Sequence, residues 1–193
     1  GTVSGSLPLS GALHTINASL AIGGVQLSVG PTDPDTTALN SSTAGKEIGT
    51  TGFTFAAVRA QNTGSVEDVW VKSIRWNQSG SASASDLANV VTVVDGTTYP
   101  MTVSSDGKYY TVVFPGAGLE IVKGLQKEFV VKADVISGPN RTIQFDIYKA
   151  SDFYVVGETY GYGITATANT TASSADDTQL TTTNPFFDGS KVM

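Results

Sequence analysis

The sequence predicts an all-β protein, an antiparallel sandwich of short strands. Three observations predict it. Apolar and polar residues alternate with a period of two in segment after segment, as a pleated strand requires, because successive side chains point to opposite faces. Turn chemistry separates those segments at short spacing, as at Asp95-Gly96, Asp106-Gly107 and Ser137-Gly138-Pro139-Asn140. No stretch carries a helical period. With 193 residues, 40% of them hydrophobic, the chain is long enough to bury a real core.

The clearest alternation runs from Glu128 to Tyr148. Phe129, Val131, Ala133 and Val135 share one face of a first strand, and Ile143, Phe145 and Ile147 share one face of a second. With Ser137–Asn140 between them, the two read as a central hairpin. Upstream, Val3, Gly5, Leu7, Leu9, Gly11 and Leu13 share one parity, and the intervening positions are polar or small. Gly5 and Gly11 pack nothing themselves, which suits a strand lying against a crowded core. Pro8 cannot donate a ladder bond, so there the strand lies at an edge or lacks a bond. The parity flips after His14, and Ile16–Ile22 and Val25–Val29 follow across the Gly23-Gly24 turn.

Gly30–Gly52 is polar and reads as a linker or surface excursion. Strands are expected at Phe53–Ala60 and at Val66–Trp76. The second carries apolar residues of both parities, so it is either covered on both sides or crosses between sheets. Ser79–Ala84 reads as a low-complexity loop, and Asp86 as the cap of one helical turn reaching Asn89. Val90–Val94, Thr98–Val103, Tyr109–Phe114 and Leu119–Val122 are further strands, as are Phe153–Val156 and Tyr160–Ala168. In the Thr-rich tail only Phe186-Phe187 is strongly apolar; either it docks on the body or the tail is loose. The chain therefore divides into an extension, residues 1–15, and a sandwich with a polar C-terminal tail, residues 16–193.

Composition narrows the function. The net charge is −6 and the 11 basic residues are scattered, which speaks against a nucleic-acid partner. No run of about 18 apolar residues exists, so no transmembrane helix is expected. There is no cysteine, so disulfide stapling is absent. The first residue is Gly1, which suggests a processed form. Only 15% of residues are charged, as in many surface-exposed β proteins. The sole histidine is His14, and no nucleophile elbow, P-loop or His-Glu-x-x-His motif occurs; no enzyme is expected, and no cofactor. Glu120 and Glu158 could serve as a glycosidase pair only if the fold set them face to face. Asp33, Asp35, Asp176 and Asp177 form no calcium loop and read as solvated carboxylates, so no metal is expected.

The run Val66-Glu67-Asp68-Val69-Trp70-Val71-Lys72-Ser73-Ile74 precedes Ser83-Ala84-Ser85-Asp86-Leu87-Ala88-Asn89-Val90. Then come Phe129–Val135 and Thr142–Ile147. This order resembles a β-sandwich module of large cell-surface and S-layer-like or filament proteins of uncultured prokaryotes, over roughly residues 53 to 168. The resemblance implies an Ig-like fold and a structural role at the cell surface. It brings no catalytic residues. Residues 1 to 29 lie outside it.

Those residues suggest a function. Val3, Gly5, Leu7, Leu9, Gly11 and Leu13 have the form of a donor strand that completes a neighbour's sheet, with Val3, Leu7, Leu9 and Leu13 as plugs. Such head-to-tail contact grows a homopolymer: an extracellular, pilus-like filament. The plain alternative is an ordinary first strand of its own domain. An S-layer or surface-array module is a further reading. So is a carbohydrate-binding sandwich, with Trp70, Trp76, Tyr109, Tyr110, Tyr160 and Tyr162 as the sugar platform. Five of eight asparagines, Asn17, Asn40, Asn77, Asn140 and Asn169, begin an Asn-x-Ser/Thr acceptor, and all but Asn17 fall where loops or turns are expected.

Overall fold

The computed structural model describes residues 22–34, 46–169, 180–181 and 184–189. The donor-strand candidates Val3, Gly5, Leu7, Leu9, Gly11 and Leu13, and with them Asn17, Asn40, Asp35, Asp176 and Asp177, lie outside those residues. The described chain forms thirteen strands in two sheets. One sheet contains β1 (Val25–Val29), β2 (Phe53–Asn62), β4 (Leu87–Val94), β5 (Thr97–Pro100), β9 (Gln126–Val135) and β13 (Thr167–Ala168), in the order β13-β1-β2-β9-β4-β5. The other contains β3 (Val69–Gly80), β6 (Thr102–Val103), β7 (Tyr109–Val113), β8 (Leu119–Ile121), β10 (Ile143–Asp146), β11 (Phe153–Gly157) and β12 (Gly163–Ile164). β3 is its central strand: β11 and β10 pair along it, as do β7 and β8. Every ladder is antiparallel except that of β1 with β13. The two sheets pack face to face, an all-β sandwich, as expected.

Phe129, Val131 and Ala133 of β9 are buried, and so are Ile143, Phe145 and Ile147. The faces are thus as expected, but the pairing is not. β9 pairs with β2 and β4, whereas β10 pairs with β3 in the opposite sheet. The Ser137–Asn140 joint therefore arches over the core and does not close a hairpin. A hairpin sets two apolar faces side by side and an arch sets them opposite, and a period of two is the same for both. Rings from both sheets meet in the interior edge to face, at interplanar angles of 89°, 76° and 63°: Phe129 on Phe153 at 5.3 Å, Tyr110 on Phe145 at 5.3 Å and Phe55 on Phe145 at 5.7 Å. Edge-to-face contact is the geometry that aromatic quadrupoles favour.

The double parity of β3 has a different cause from either alternative. β11 pairs Tyr154 with Ser73 and Val155 with Val71, so Lys72 is the extra residue of a bulge. Val69 and Val71 point inward before it, Ile74 and Trp76 after it, and all four are buried. Three other segments also depart from expectation. Asp86 ends a 3-10 turn, Ala84–Asp86, whose first residue follows Ser83, and the chain enters β4 at once. Asp86 accepts from the Ser83 N–H at 2.8 Å, so the carboxylate closes the turn from its far end. The expected strand Thr98–Val103 breaks at Met101 and changes sheet, β5 to β6. Tyr160–Ala168 contributes only the short β12 and β13, one to each sheet. At the far end, Phe186 and Phe187 do dock: Phe187 exchanges two backbone bonds with Ile147, each 3.0 Å, and is fully buried.

Candidate functional site

Three features at one end of the sandwich hold the chemistry of the described surface. The first is a seam between the sheets. β8 pairs with β3 on one side and, among the described residues, with no strand on the other. Gln126–Glu128 of β9 pair with Gln61–Arg59 of β2, while the β4 ladder reaches only to Val130. Two half-open strand edges thus flank a cavity of about 280 Å³, lined by residues 118–122 and 125–127. Leu125 and Val122 stand exposed at its mouth, at 59% and 42%. The β8–β9 turn is rigid nonetheless: the Asn62 N–H donates to the Leu125 carbonyl, and the Asn62 side-chain amide donates to the carbonyls of Glu67 and Ile121. At the lip, Lys127 forms an ion pair with Asp95.

The second feature is acidic. The fold brings Glu120 of β8 and Glu158 beyond β11 together with Asp68, with carboxylate oxygens within 4.8 Å of one another. Sequence reasoning named Glu120 and Glu158 as a pair but could not place them, and it missed Asp68. None of the three belongs to an ion pair among the described residues. Asp68 accepts the Lys123 N–H at 2.6 Å. The group offers three oxygen ligands of the six to eight that calcium takes. Asp33, weighed as a solvated carboxylate, is instead fully buried and accepts the Ala57 N–H at 2.8 Å. It pins the start of the polar stretch to β2.

The third feature is aromatic. Tyr160 and Tyr162 stack at 6.4 Å with an interplanar angle of 23°, and both are exposed. The other members of the expected platform disperse. Trp76 and Tyr110 lie fully inside the core, and the Tyr110 hydroxyl donates to Gln78 Oε1 at 2.8 Å. Trp70 and Tyr109 are half-buried on the outer face of their sheet, where the Arg75 guanidinium lies 4.9 Å from the Tyr109 ring centre.

Behind these features Glu67 organises the place where the chain joins the body. It is 5% exposed, and its carboxylate accepts the Gly23 N–H at 2.9 Å and the Thr159 N–H at 2.8 Å. Gly157 packs so closely that a Cβ there would stand 2.4 Å from Glu67 Oε1. A buried carboxylate holding two distant backbone donors has no local signature in sequence.

The carboxyl groups of Asp86 and Asp146 are shifted in opposite directions. The Asp86 carboxyl is held below its ordinary value chiefly by the Ser83 backbone N–H, with further help from Arg141 at 2.7 Å. Burial pushes the Asp146 carboxyl above its ordinary value, although Ser79 and the Gly189 N–H donate to it. Of the glycan acceptors, Asn140 sits exposed at a turn with φ of 59°, and Asn169 follows β13 and donates its N–H to the Leu27 carbonyl. Asn77 corrects its expected place in a loop. It is half-buried within β3, between Tyr109 and Asp146. The polar run from Asn77 to Gly80 stays a strand because Gln78 turns inward to Tyr110 while Ser79 bonds Asp146.

The described residues thus define a two-sheet β-sandwich with half-open strand edges at one end. No family model, no curated protein and no solved structure matches this chain. No helix among the described residues is long and apolar enough to cross a membrane.

Proposed function

We propose that this chain is a structural subunit of an extracellular filament, assembled head-to-tail by strand donation between copies. The half-open edges of β8 and β9 carry this reading, because an exposed strand edge is a template for another strand. The matching segment is Val3–Leu13, which alternates and contains no charged residue. Four apolar side chains buried at about 2 kcal/mol each, with backbone bonds beside them, make a durable joint in a chain without cysteine. The resemblance to Ig-like surface modules agrees with a structural role at the cell surface, as does an acceptor asparagine at the exposed turn position 140. The test is deletion of residues 1–13. The expected result is filaments of the full chain, visible by negative-stain microscopy, and a truncated chain that sediments as a monomer. A truncated chain that still polymerises rejects strand donation.

A second reading is a carbohydrate- or surface-binding sandwich, favoured by the exposed Tyr160–Tyr162 stack. It expects saturable binding on a glycan array that is lost in Tyr160→Ala and Tyr162→Ala.

A further inference from the structure

We infer that the C-terminal segment, residues 180–189, is an acid-tightened latch: it closes on the outer edge of β10 when the Asp146 carboxyl beneath it carries a proton, and it loosens when that carboxyl is ionised.

The first observation is how the segment is seated. β10 gives one edge to β3, and the segment takes the other. Phe187 exchanges two backbone bonds with Ile147, and the Phe186 N–H donates to the Tyr148 carbonyl at 3.1 Å. The loop braces itself. Leu180 bridges Phe187, and the Thr181 N–H and hydroxyl donate to the carbonyls of Phe186 and Pro185, each at 2.9 Å. Leu180, Phe186 and Phe187 are buried, and the Phe187 ring meets Trp76 edge to face at 6.4 Å. The segment is thus one piece, held by a short ladder and an apolar plug.

The second observation is where that ladder stops. In a regular antiparallel pair, the next residue to donate would be Gly189, to the Phe145 carbonyl. Here a Cβ at Gly189 would collide with that carbonyl oxygen, and the Gly189 N–H donates to Asp146 Oδ1 at 3.1 Å. The carboxylate takes the place of the next backbone acceptor. Its Oδ2 accepts the Ser79 hydroxyl at 2.9 Å, so Asp146 is pinned between β3 and the segment and is only 4% exposed.

The third observation is charge. Facing Asp146 are Asn77 and Ser79 from β3 and, from the segment, Asp188, a second carboxylate that Gln144 holds in place. No ion pair among the described residues includes Asp146 or Asp188, and Lys191 lies outside those residues. Burial, opposed by the Ser79 and Gly189 bonds and reinforced by Asp188, pushes the Asp146 carboxyl above its ordinary value. With the segment lifted, water reaches Asp146 and Asp188 moves away, so its hold on a proton falls back to the ordinary one. The closed form therefore binds the proton more tightly, and acid favours closure. The cost of closing is complete above the raised value and vanishes as pH falls to the ordinary one.

The test is amide exchange of the full chain, read as protection factors so that the intrinsic effect of pH on exchange cancels. The Ile147 and Phe187 amides, bonded to each other's carbonyls, report the latch, and those of Val130 and Val131 in β9 report the body. As pH falls from above the raised value toward the ordinary carboxylate value of about 4, latch protection is expected to rise several-fold relative to the body. In Asp146→Asn that ratio is expected not to change with pH. Asp188→Asn keeps an acceptor for Gln144 at an exposed position and is expected to raise latch protection at neutral pH. A wild-type ratio that stays flat or falls in acid overturns the latch, and so does an acid rise that survives in Asp146→Asn. If Asp146→Asn does not fold, Asp188→Asn decides: unchanged latch protection at neutral pH overturns the inference.

Discussion

Removing the Glu67 carboxylate tests how the body holds the chain where it arrives. In Glu67→Ala the N–H groups of Gly23 and Thr159 lose an acceptor that lies 2.9 and 2.8 Å away. Glu67 is 5% exposed, and Gly23 is buried as well. Each lost bond is to a charged group, which contributes about 1.5–3 kcal/mol. The two share one acceptor and do not add fully, so the expected loss is about 3–5 kcal/mol. That is a large part of the roughly 5–15 kcal/mol that holds a domain folded. Glu67→Gln keeps one oxygen but aims an NH₂ group at the second donor, so it falls between wild type and alanine. Urea unfolding at pH 7 measures both variants, with the slope against denaturant unchanged. Amide exchange at Gly23 and Thr159 rises ahead of global unfolding. If Glu67→Ala stays within 1 kcal/mol of wild type, the carboxylate is not the clamp described above.

Acidification separates two carboxylates by sign. Asp86 is held low, so its contribution is present above the ordinary carboxylate value and is lost as pH falls through its own lower one. Asp146 is held high, so its burial costs stability above its raised value, and that cost disappears as pH falls toward the ordinary one. Thermal unfolding across the carboxylate range is expected to show wild type gaining on Asp146→Asn as pH drops, while its advantage over Asp86→Asn shrinks. Glu120→Gln removes one charge from the Asp68–Glu120–Glu158 group. At about 4.8 Å in water the repulsion is about 0.9 kcal/mol per pair, and Glu120 belongs to two pairs, so the variant is expected to gain up to about 1.7 kcal/mol at low ionic strength and nothing at high salt. Phe145→Ala empties a site shared by Phe55 and Tyr110, and chemical denaturation is expected to register a loss of about 3–5 kcal/mol.

Much of the interior was legible in the chain. Parity alone set Phe129 and Val131 on one face and Phe145 and Ile147 on another, and all four are buried. Asp95-Gly96 was legible as a tight turn and forms one, with positive φ at both residues between Val94 and Thr97. The candidate site was far less legible. Asp68, Glu120 and Glu158 stand far apart in sequence and meet only because β8 and β11 flank the same end of β3. The six-member aromatic platform failed because a strand's aromatic residues divide between core and surface, and residue type does not say which. Trp76 and Tyr110 went inward, and Tyr160 and Tyr162 stayed out.

What the amino-acid order determined by itself is which side of each strand is dry and where the chain turns. Both are properties of a few consecutive residues: the pleat alternates side chains, and glycine, asparagine and aspartate admit the backbone angles of tight turns. The tertiary structure alone decided that Glu128–Tyr148 is an arch and not a hairpin, that Lys72 bulges from β3, and that the Glu67 and Asp33 side chains accept from distant backbone donors. It also decided which strand edges stay half-open at the seam. Each depends on partners dozens of residues away, and a strand's pattern is the same whichever neighbour completes its ladder.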